Sequence, residues 1–204
     1  MLKKSTIFFI VTIFLISPVK IYSQKYSTYN LQNCVEYSSL EEALKQPDSV
    51  YILKLKREKL TQIPKEIFLL KNLKVLILSI NKLNDIPDEI DSLKFLEELD
   101  VSSNKFTHFP KAITRLTKLK TLKIFRNEIP ELPKEIGNMK NLNQLVIWDN
   151  PLTNLPDEIG KLKNQIKQLN LSLTLIRDKN VIEKIFNLLP DTKIEFPSPC
   201  DCLK

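Results

Sequence analysis

Residues 96–116 read LEELDVSSNKFTHFPKAITRL, and residues 142–162 repeat the same pattern as LNQLVIWDNPLTNLPDEIGKL. The proline of this pattern recurs with a fixed period of 23 residues, each time directly after an apolar residue. It stands at Pro64, Pro87, Pro110, Pro133 and Pro156. A fixed period of this length indicates a protein whose repeats stack on one another. Such a stack offers an open, ligand-sized surface and no enclosed pocket.

Each repeat divides into a strand-like half and a helix-like half. Leu99-x-Val101 alternates like a short strand, in which every second residue turns inward. The proline suits the first turn of a short helix or 3₁₀ segment because it has no N–H to lose. An asparagine follows the strand in four repeats, at Asn81, Asn104, Asn127 and Asn150. We expect these amides to hydrogen-bond backbone groups of neighbouring coils that are costly to bury unpaired.

The sequence predicts caps at both ends of the stack. Ser39-Leu-Glu-Glu42 is typical of a helix start. Val181 to Leu189 has helical spacing after a capping Asp178, and residues 193–196 suit a last strand. The predicted organisation is a signal peptide (1–23), an N-terminal segment with a capping helix (24–49), about six repeats (50–176) and a C-terminal cap and tail (177–204).

Over residues 38 to 196 the chain resembles the leucine-rich repeat family. Within it, the sequence is similar to the 23-residue class with Leu/Ile-Pro-x-x-Ile in each repeat, shared by Ras-suppressor-like proteins and many bacterial proteins. The resemblance implies an α/β solenoid of horseshoe shape, with short parallel strands on the concave face and short helical or 3₁₀ segments on the convex face. For bacterial exported relatives it implies surface or host-interaction roles, without naming a partner.

Two aromatic residues occupy the same concave-face position in adjacent repeats. Phe125 and Trp148 should lie about 5 Å apart at the backbone, and Trp148 is the only tryptophan. An aromatic centre rimmed by charge is typical of binding hot spots. The predicted partner-binding residues are Lys123, Phe125, Arg126, Val146, Trp148 and Asp149, with Ile77 in a weaker second patch. The alternative is that the two rings only shield one another on a curved sheet.

Catalytic signatures are missing from the sequence. It contains no GxxxxGK phosphate loop, no nucleophile elbow and no His/Cys/carboxylate set with metal spacing. Glutamates such as Glu66 and Glu135 follow the prolines on the convex side. Salt bridges to the repeated lysines explain these glutamates more simply than a role as catalytic acid or base. The single histidine, His108, is an ordinary exposed side chain in this interpretation. We therefore expect no enzymatic activity, no cofactor and no metal.

Charge and cysteine content restrict the partners further. The net charge of +7 falls to +4 without Lys3, Lys4 and Lys20 of the predicted signal. This excess is spread through every repeat and does not form the basic stripe of a nucleic-acid binder. Of the three cysteines, Cys200 and Cys202 are too close for an easy bridge. Cys34 lies at the other end of the stack, roughly 25–30 Å away and beyond disulfide reach. We expect the thiols to be unpaired, or Cys200 or Cys202 to form an intermolecular disulfide.

The residues thus favour an exported, non-enzymatic module that binds a protein or peptide on its concave face, with no nucleic-acid partner. One alternative is a structural, envelope-associated protein that assembles through its ends. Another is a cytoplasmic signalling scaffold, which requires that the N-terminus is not an export signal. The cellular compartment in which the protein is found therefore distinguishes the scaffold hypothesis from the exported ones.

The first residues are typical of a secretory signal. Met1-Leu-Lys-Lys is charged, residues 7–16 are apolar apart from Thr12, and Pro18 ends the run. The apolar run is too short to span a bilayer comfortably, and no second run of spanning length exists. Cleavage after Ser23 predicts a protein that is secreted or held in the cell envelope, with no membrane span in the mature chain. An uncleaved anchor is the alternative.

Mass spectrometry of the protein produced from its full-length gene tests the signal. We expect a mature chain that begins at Gln24 and is recovered outside the cytoplasm. A chain that keeps Met1 and stays in the cytoplasm contradicts the prediction and favours the scaffold hypothesis.

Overall fold

The computed structural model describes residues 34–196, in which each repeat contributes one strand to a single open sheet. All eight strands are parallel and lie side by side in sequence order. The predicted solenoid, with strands on one face and 3₁₀ segments on the other, is confirmed. The predicted signal, Cys200, Cys202 and the tail from Pro197 lie outside the described residues.

The strands, each two or three residues long, are β1 (Glu36–Tyr37), β2 (Ile52–Lys54), β3 (Val75–Ile77), β4 (Glu98–Asp100), β5 (Thr121–Lys123), β6 (Gln144–Val146), β7 (Gln168–Asn170) and β8 (Lys193–Glu195). The α-helices are α1 (Leu40–Leu44) and α2 (Lys179–Leu188). The 3₁₀ segments are Pro47–Ser49, Lys65–Leu69, Asp88–Ser92, Lys111–Arg115, Lys134–Asn138 and Asp157–Leu162.

Each repeat proline lies one residue before its 3₁₀ segment, slightly earlier than predicted. At this position the φ angle of Pro110 is −67° and its ψ angle is 103°, so the chain is still extended. The Pro110 carbonyl accepts from the N–H of Ile113 at 3.0 Å and so starts the segment. Proline suits this position because it fixes φ and has no N–H that would need a partner.

The core is a column of leucines, one from the middle of each repeat strand. Parallel pairing places them in register, as in Leu99 opposite Leu122. All of them are at most 1% exposed: Leu53, Leu76, Leu99, Leu122, Leu145 and Leu169. Burial of such a side chain contributes about 1.5–3 kcal/mol. One coil covers only half of its own core, so every inner coil needs both neighbours.

The predicted asparagine bonds are present. Asn127 Oδ1 accepts from the N–H of Phe106 in the preceding coil at 3.2 Å. Its Nδ2 donates to the carbonyls of Val101 at 3.3 Å and Ile124 at 3.0 Å. Asn81, Asn104 and Asn150 make the equivalent bonds, each to an N–H and a carbonyl of the preceding coil and to a carbonyl of its own coil. Thr174 takes this place in the sixth repeat, where its Oγ1 donates only to Leu171 of its own coil, at 2.7 Å.

Both ends are capped largely as predicted. Ser39 Oγ accepts from the N–H of Glu42 at 3.4 Å at the start of α1, and Asp178 Oδ1 accepts from the N–H of Asn180 at 2.7 Å at the start of α2. Strand β8 extends the sheet as expected. Strand β1, which pairs with β2, was not predicted, because two residues are too few to show an alternating pattern.

The residue before each repeat asparagine has a left-handed backbone. The φ angles lie between 53° and 59° at Ile80, Ser103, Arg126 and Asp149, three residues after each strand ends. The equivalent residues of the first and sixth coils, Arg57 and Leu173, have φ angles of 66° and 56°. None of these residues is glycine, although glycine adopts this conformation at the lowest cost. Neither a glycine nor another local signal marks this turn in the sequence.

A close backbone approach explains one of the two glycines. A Cβ atom on Gly137 would lie 2.4 Å from the carbonyl oxygen of Glu158 in the next coil. The equivalent position of the first repeat holds Phe68, which is buried. The fourth and fifth repeats therefore lie too close together on the convex side to leave room for a side chain at this position.

We expect Asn127→Ala to lower the free energy of unfolding by about 3 kcal/mol, because the N–H of Phe106 loses its acceptor and the carbonyls of Val101 and Ile124 each lose one of two amide bonds. Thr174→Ala is the matched control, and its single bond should be worth about 1 kcal/mol. Urea unfolding followed by circular dichroism measures both. Equal losses would show that the bonds between coils add nothing.

We expect Gly137→Ala to cost about 1–3 kcal/mol, since the added methyl group meets a backbone oxygen that must shift. Thr114→Ala, at the same position of the preceding repeat, should change stability by less than about 0.5 kcal/mol. The same urea experiment compares them. A Gly137→Ala protein as stable as wild type contradicts the close approach.

Candidate functional site

The concave face carries the predicted site, and the sheet ladder positions it. Strands β5 and β6 pair with Lys123 opposite Val146. The backbone bonds continue past the strand ends, where the N–H of Arg126 donates to the carbonyl of Trp148 at 3.1 Å. The backbone pairing therefore holds Phe125 and Trp148 at equivalent positions of adjacent coils.

The rings of Phe125 and Trp148, termed here the aromatic pair, stack face to face. Their centroids are 4.5 Å apart and their planes differ by 11°. Neighbouring strands lie about 4.8 Å apart, so the stack follows the solenoid axis with little adjustment. Both side chains are half-buried. The sheet thus presents a preformed apolar surface two rings long.

Arg126 and Asp149 border the aromatic pair. The guanidinium carbon of Arg126 lies 5.0 Å from the centroid of Trp148, within cation–π distance. Its Nε is 3.5 Å from Asp149 Oδ2, and the two side chains are 60% and 47% exposed. A pair as exposed as this contributes little to stability. Both charges remain accessible to a partner.

Lys123 is already occupied by an acid that sequence reasoning did not single out. Its Nζ lies 2.6 Å from Oε1 of Glu98, whose side chain is only 8% exposed. Glu98 is the first residue of β4 and faces the same concave surface, a position that the repeat alignment identifies. The ion pair fixes the Lys123 side chain and neutralises it beside the aromatic pair.

Ile77 lies apart from the other predicted residues. It is 7% exposed and packs with Ile52 and Val75 in a small apolar cluster, against which Cys34 and Tyr51 lie. Strand β4 separates it from β5. Ile80, three residues further along the chain, is 38% exposed. The structure therefore brings together six of the seven predicted residues and places Ile77 near the N-terminal end of the sheet.

The other polar contacts of the described residues lie away from the aromatic pair. Between residues 34 and 196, no cluster of histidine, cysteine and carboxylate side chains is arranged to hold a metal ion. On the convex face, a hydrogen bond to Asp88 raises the pKa of Arg115, and both side chains are exposed. His108 Nε2 lies 3.6 Å from Asp85 Oδ1 on the loop side, away from the aromatic pair. Neither α-helix in this part of the chain has the length and apolar character to cross a bilayer.

Comparisons with known proteins agree with this architecture. A family model described as a leucine-rich repeat region matches residues 65–192. A solved leucine-rich repeat protein of Leptospira interrogans is 32% identical, over 80% of this chain and 47% of that protein, with a TM-score of 0.67. This chain therefore spans about half the length of the Leptospira protein.

A Listeria monocytogenes internalin aligns with a TM-score of 0.58 over 73% of this chain and 40% of its own. At 18% identity, that likeness concerns the fold alone. No curated protein sequence matches the chain.

Proposed function

Because this chain belongs to the leucine-rich repeat family, we propose that it is an exported, non-enzymatic module that binds a protein or peptide on its concave face. Phe125 and Trp148 supply the apolar centre of the contact. Arg126 and Asp149 set the orientation of the partner, while Lys123 and Val146 form the floor beside the rings. Ile77 and the exposed Ile80 mark a second, weaker contact toward the N-terminal end.

The stacked aromatic pair is the observation that supports this proposal. Two large rings are held 4.5 Å apart on an open sheet by backbone bonds that exist independently of any ligand. A surface organised before binding loses little entropy when a partner arrives. Aromatic anchors surrounded by charges that exclude water are the usual composition of an energetic centre in an interface. Mutual shielding of the rings does not require the exposed charges of Arg126 and Asp149.

The cysteine of the described residues does not discriminate between compartments. Cys34 is a free, half-buried cysteine packed on the concave cluster near β1. Secretion to the surface or the envelope exposes the open sheet to extracellular partners. The predicted signal sequence supports this part of the proposal.

A random peptide library displayed on phage, selected on the immobilised full-length protein, tests the site. We expect the selected peptides to lose tenfold or more in affinity for a Phe125→Ser, Trp148→Ser double variant, about 1.4 kcal/mol or more. Arg115→Ser on the convex face is the control and should bind like wild type. Urea unfolding confirms that both variants fold.

Two outcomes contradict the proposal. If the peptides bind the double variant as tightly as they bind wild type, the aromatic pair is not part of the binding site. If the selected peptides no longer bind the Arg115→Ser variant, the binding surface lies on the convex face.

A further inference from the structure

In the part of the chain that the structure describes, the sheet ends at β8, whose outer edge has no neighbouring strand. The N–H of Lys193 donates to the carbonyl of Lys167 at 3.1 Å, and the carbonyl of Glu195 accepts from the N–H of Leu171 at 2.7 Å. Both residues thus bond the preceding coil. Because successive residues of a strand direct their backbone groups to opposite sides, the N–H and C=O of Ile194 point away from the sheet. No other described residue pairs with them.

The apolar side of this edge is incompletely covered. In the preceding coil, Leu169 and Leu171 are at most 1% exposed. Ile194 and Phe196 occupy the equivalent positions of the last coil, where they are only partly buried. Phe186 of α2 contacts Phe196, with 5.4 Å between the ring centroids, and is itself 49% exposed. Apolar surface therefore lies beside the unpaired backbone groups, and a further strand would cover both.

The two charged residues of β8 make this strand complementary to a second copy of itself. When two β8 strands pair antiparallel about Ile194, that residue lies opposite its own copy and exchanges both backbone bonds with it. Lys193 of each copy then lies opposite Glu195 of the other. Within one chain these side chains are 3.6 Å apart and 71% and 49% exposed, so their contact is weak and both charges remain accessible. Opposite charges in opposed positions stabilise a strand pair.

This charge pattern distinguishes β8 from an edge that resists pairing. A lysine on an edge strand discourages association when it meets another lysine, but here it meets a glutamate. At the other end of the sheet, Glu36 of β1 occupies the repeat position of Lys193 and directs its backbone groups outward. In an antiparallel pair of β1 strands about this residue, Glu36 would lie opposite its own copy, and like charges repel. Self-pairing is therefore favoured at β8 alone.

We propose that the protein forms a two-fold symmetric dimer in which the β8 strands of two copies pair antiparallel. The two-fold axis passes between the two Ile194 residues, perpendicular to the sheet, so the sheet continues from one copy into the other. Such an interface uses the same surface on both copies and closes at two. Both concave faces open to the same side, and the two aromatic pairs belong to one continuous surface. This inference goes beyond the proposed function, because the dimer does not depend on what the concave face binds.

Sedimentation equilibrium of the full-length protein in a reducing buffer tests the dimer. The reducing agent excludes the predicted disulfide of Cys200 or Cys202 as its cause. We expect a monomer–dimer equilibrium with a dissociation constant of about 1–100 μM. Lys193→Glu and Glu195→Lys each place two like-charged pairs in the interface, and each should weaken the dimer at least about tenfold. Lys140→Glu makes the same charge change at an exposed residue outside the sheet and should dimerise like wild type.

A mixture of the Lys193→Glu and Glu195→Lys variants identifies the strand pairing. One copy then carries two glutamates in β8 and the other carries two lysines, so both opposed pairs are complementary again. We expect this mixture to form a heterodimer, and the double variant Lys193→Glu, Glu195→Lys to form a homodimer, each about as stable as the wild-type dimer. Urea unfolding confirms that every variant folds.

The proposal is overturned if the wild-type protein is monomeric up to about 1 mM. It is also overturned if the single variants dimerise as tightly as wild type, or if the mixture of folded variants forms no heterodimer. Growth beyond two copies contradicts it as well, since an open series requires β8 to pair with β1 of the next copy instead of with itself.

Discussion

The buried asparagine amide is the interaction on which this structure depends. Each coil must bend sharply after a strand of three residues, and the bend leaves N–H and C=O groups inside the stack. One side chain satisfies them, as Asn104 does by accepting from Leu83 and donating to Leu78 and Val101. An aliphatic residue there would leave the N–H of Leu83 without its acceptor and remove one bond from each of two carbonyls, at a cost of about 3 kcal/mol. The amide therefore fixes both the bend and the distance to the next coil.

Much of the fold was predictable because the same physical problem recurs in each repeat. The leucine column, the asparagine bends, the prolines and both helix caps follow from residue type and spacing, and the structure confirms them. Strand β1 and the left-handed residues such as Arg126 could not be predicted. The first is too short to carry a pattern, and the second is imposed by the bend on whichever residue occupies the position.

The site was predictable to a similar depth, and for a related reason. Parallel register turns each repeat position into a line along the solenoid, so Phe125 and Trp148 had to be neighbours. The orientation of their rings and the partner of Lys123 depend on side-chain contacts between coils, which spacing does not encode. Ile77 shows the same limit. It occupies a concave-face position like Val146, but its neighbours Ile52 and Val75 are apolar, and the three bury one another.

The near-contact of Gly137 with Glu158 lies directly behind the aromatic pair, in the two coils that carry Phe125 and Trp148. A solenoid curves because its outer rim is wider than its inner one. Where the outer rims touch, as they do at this pair of coils, little room is left on the convex side for curvature in the segment that carries the rings. An extended ligand can lie flat on that segment without bending to follow the curve.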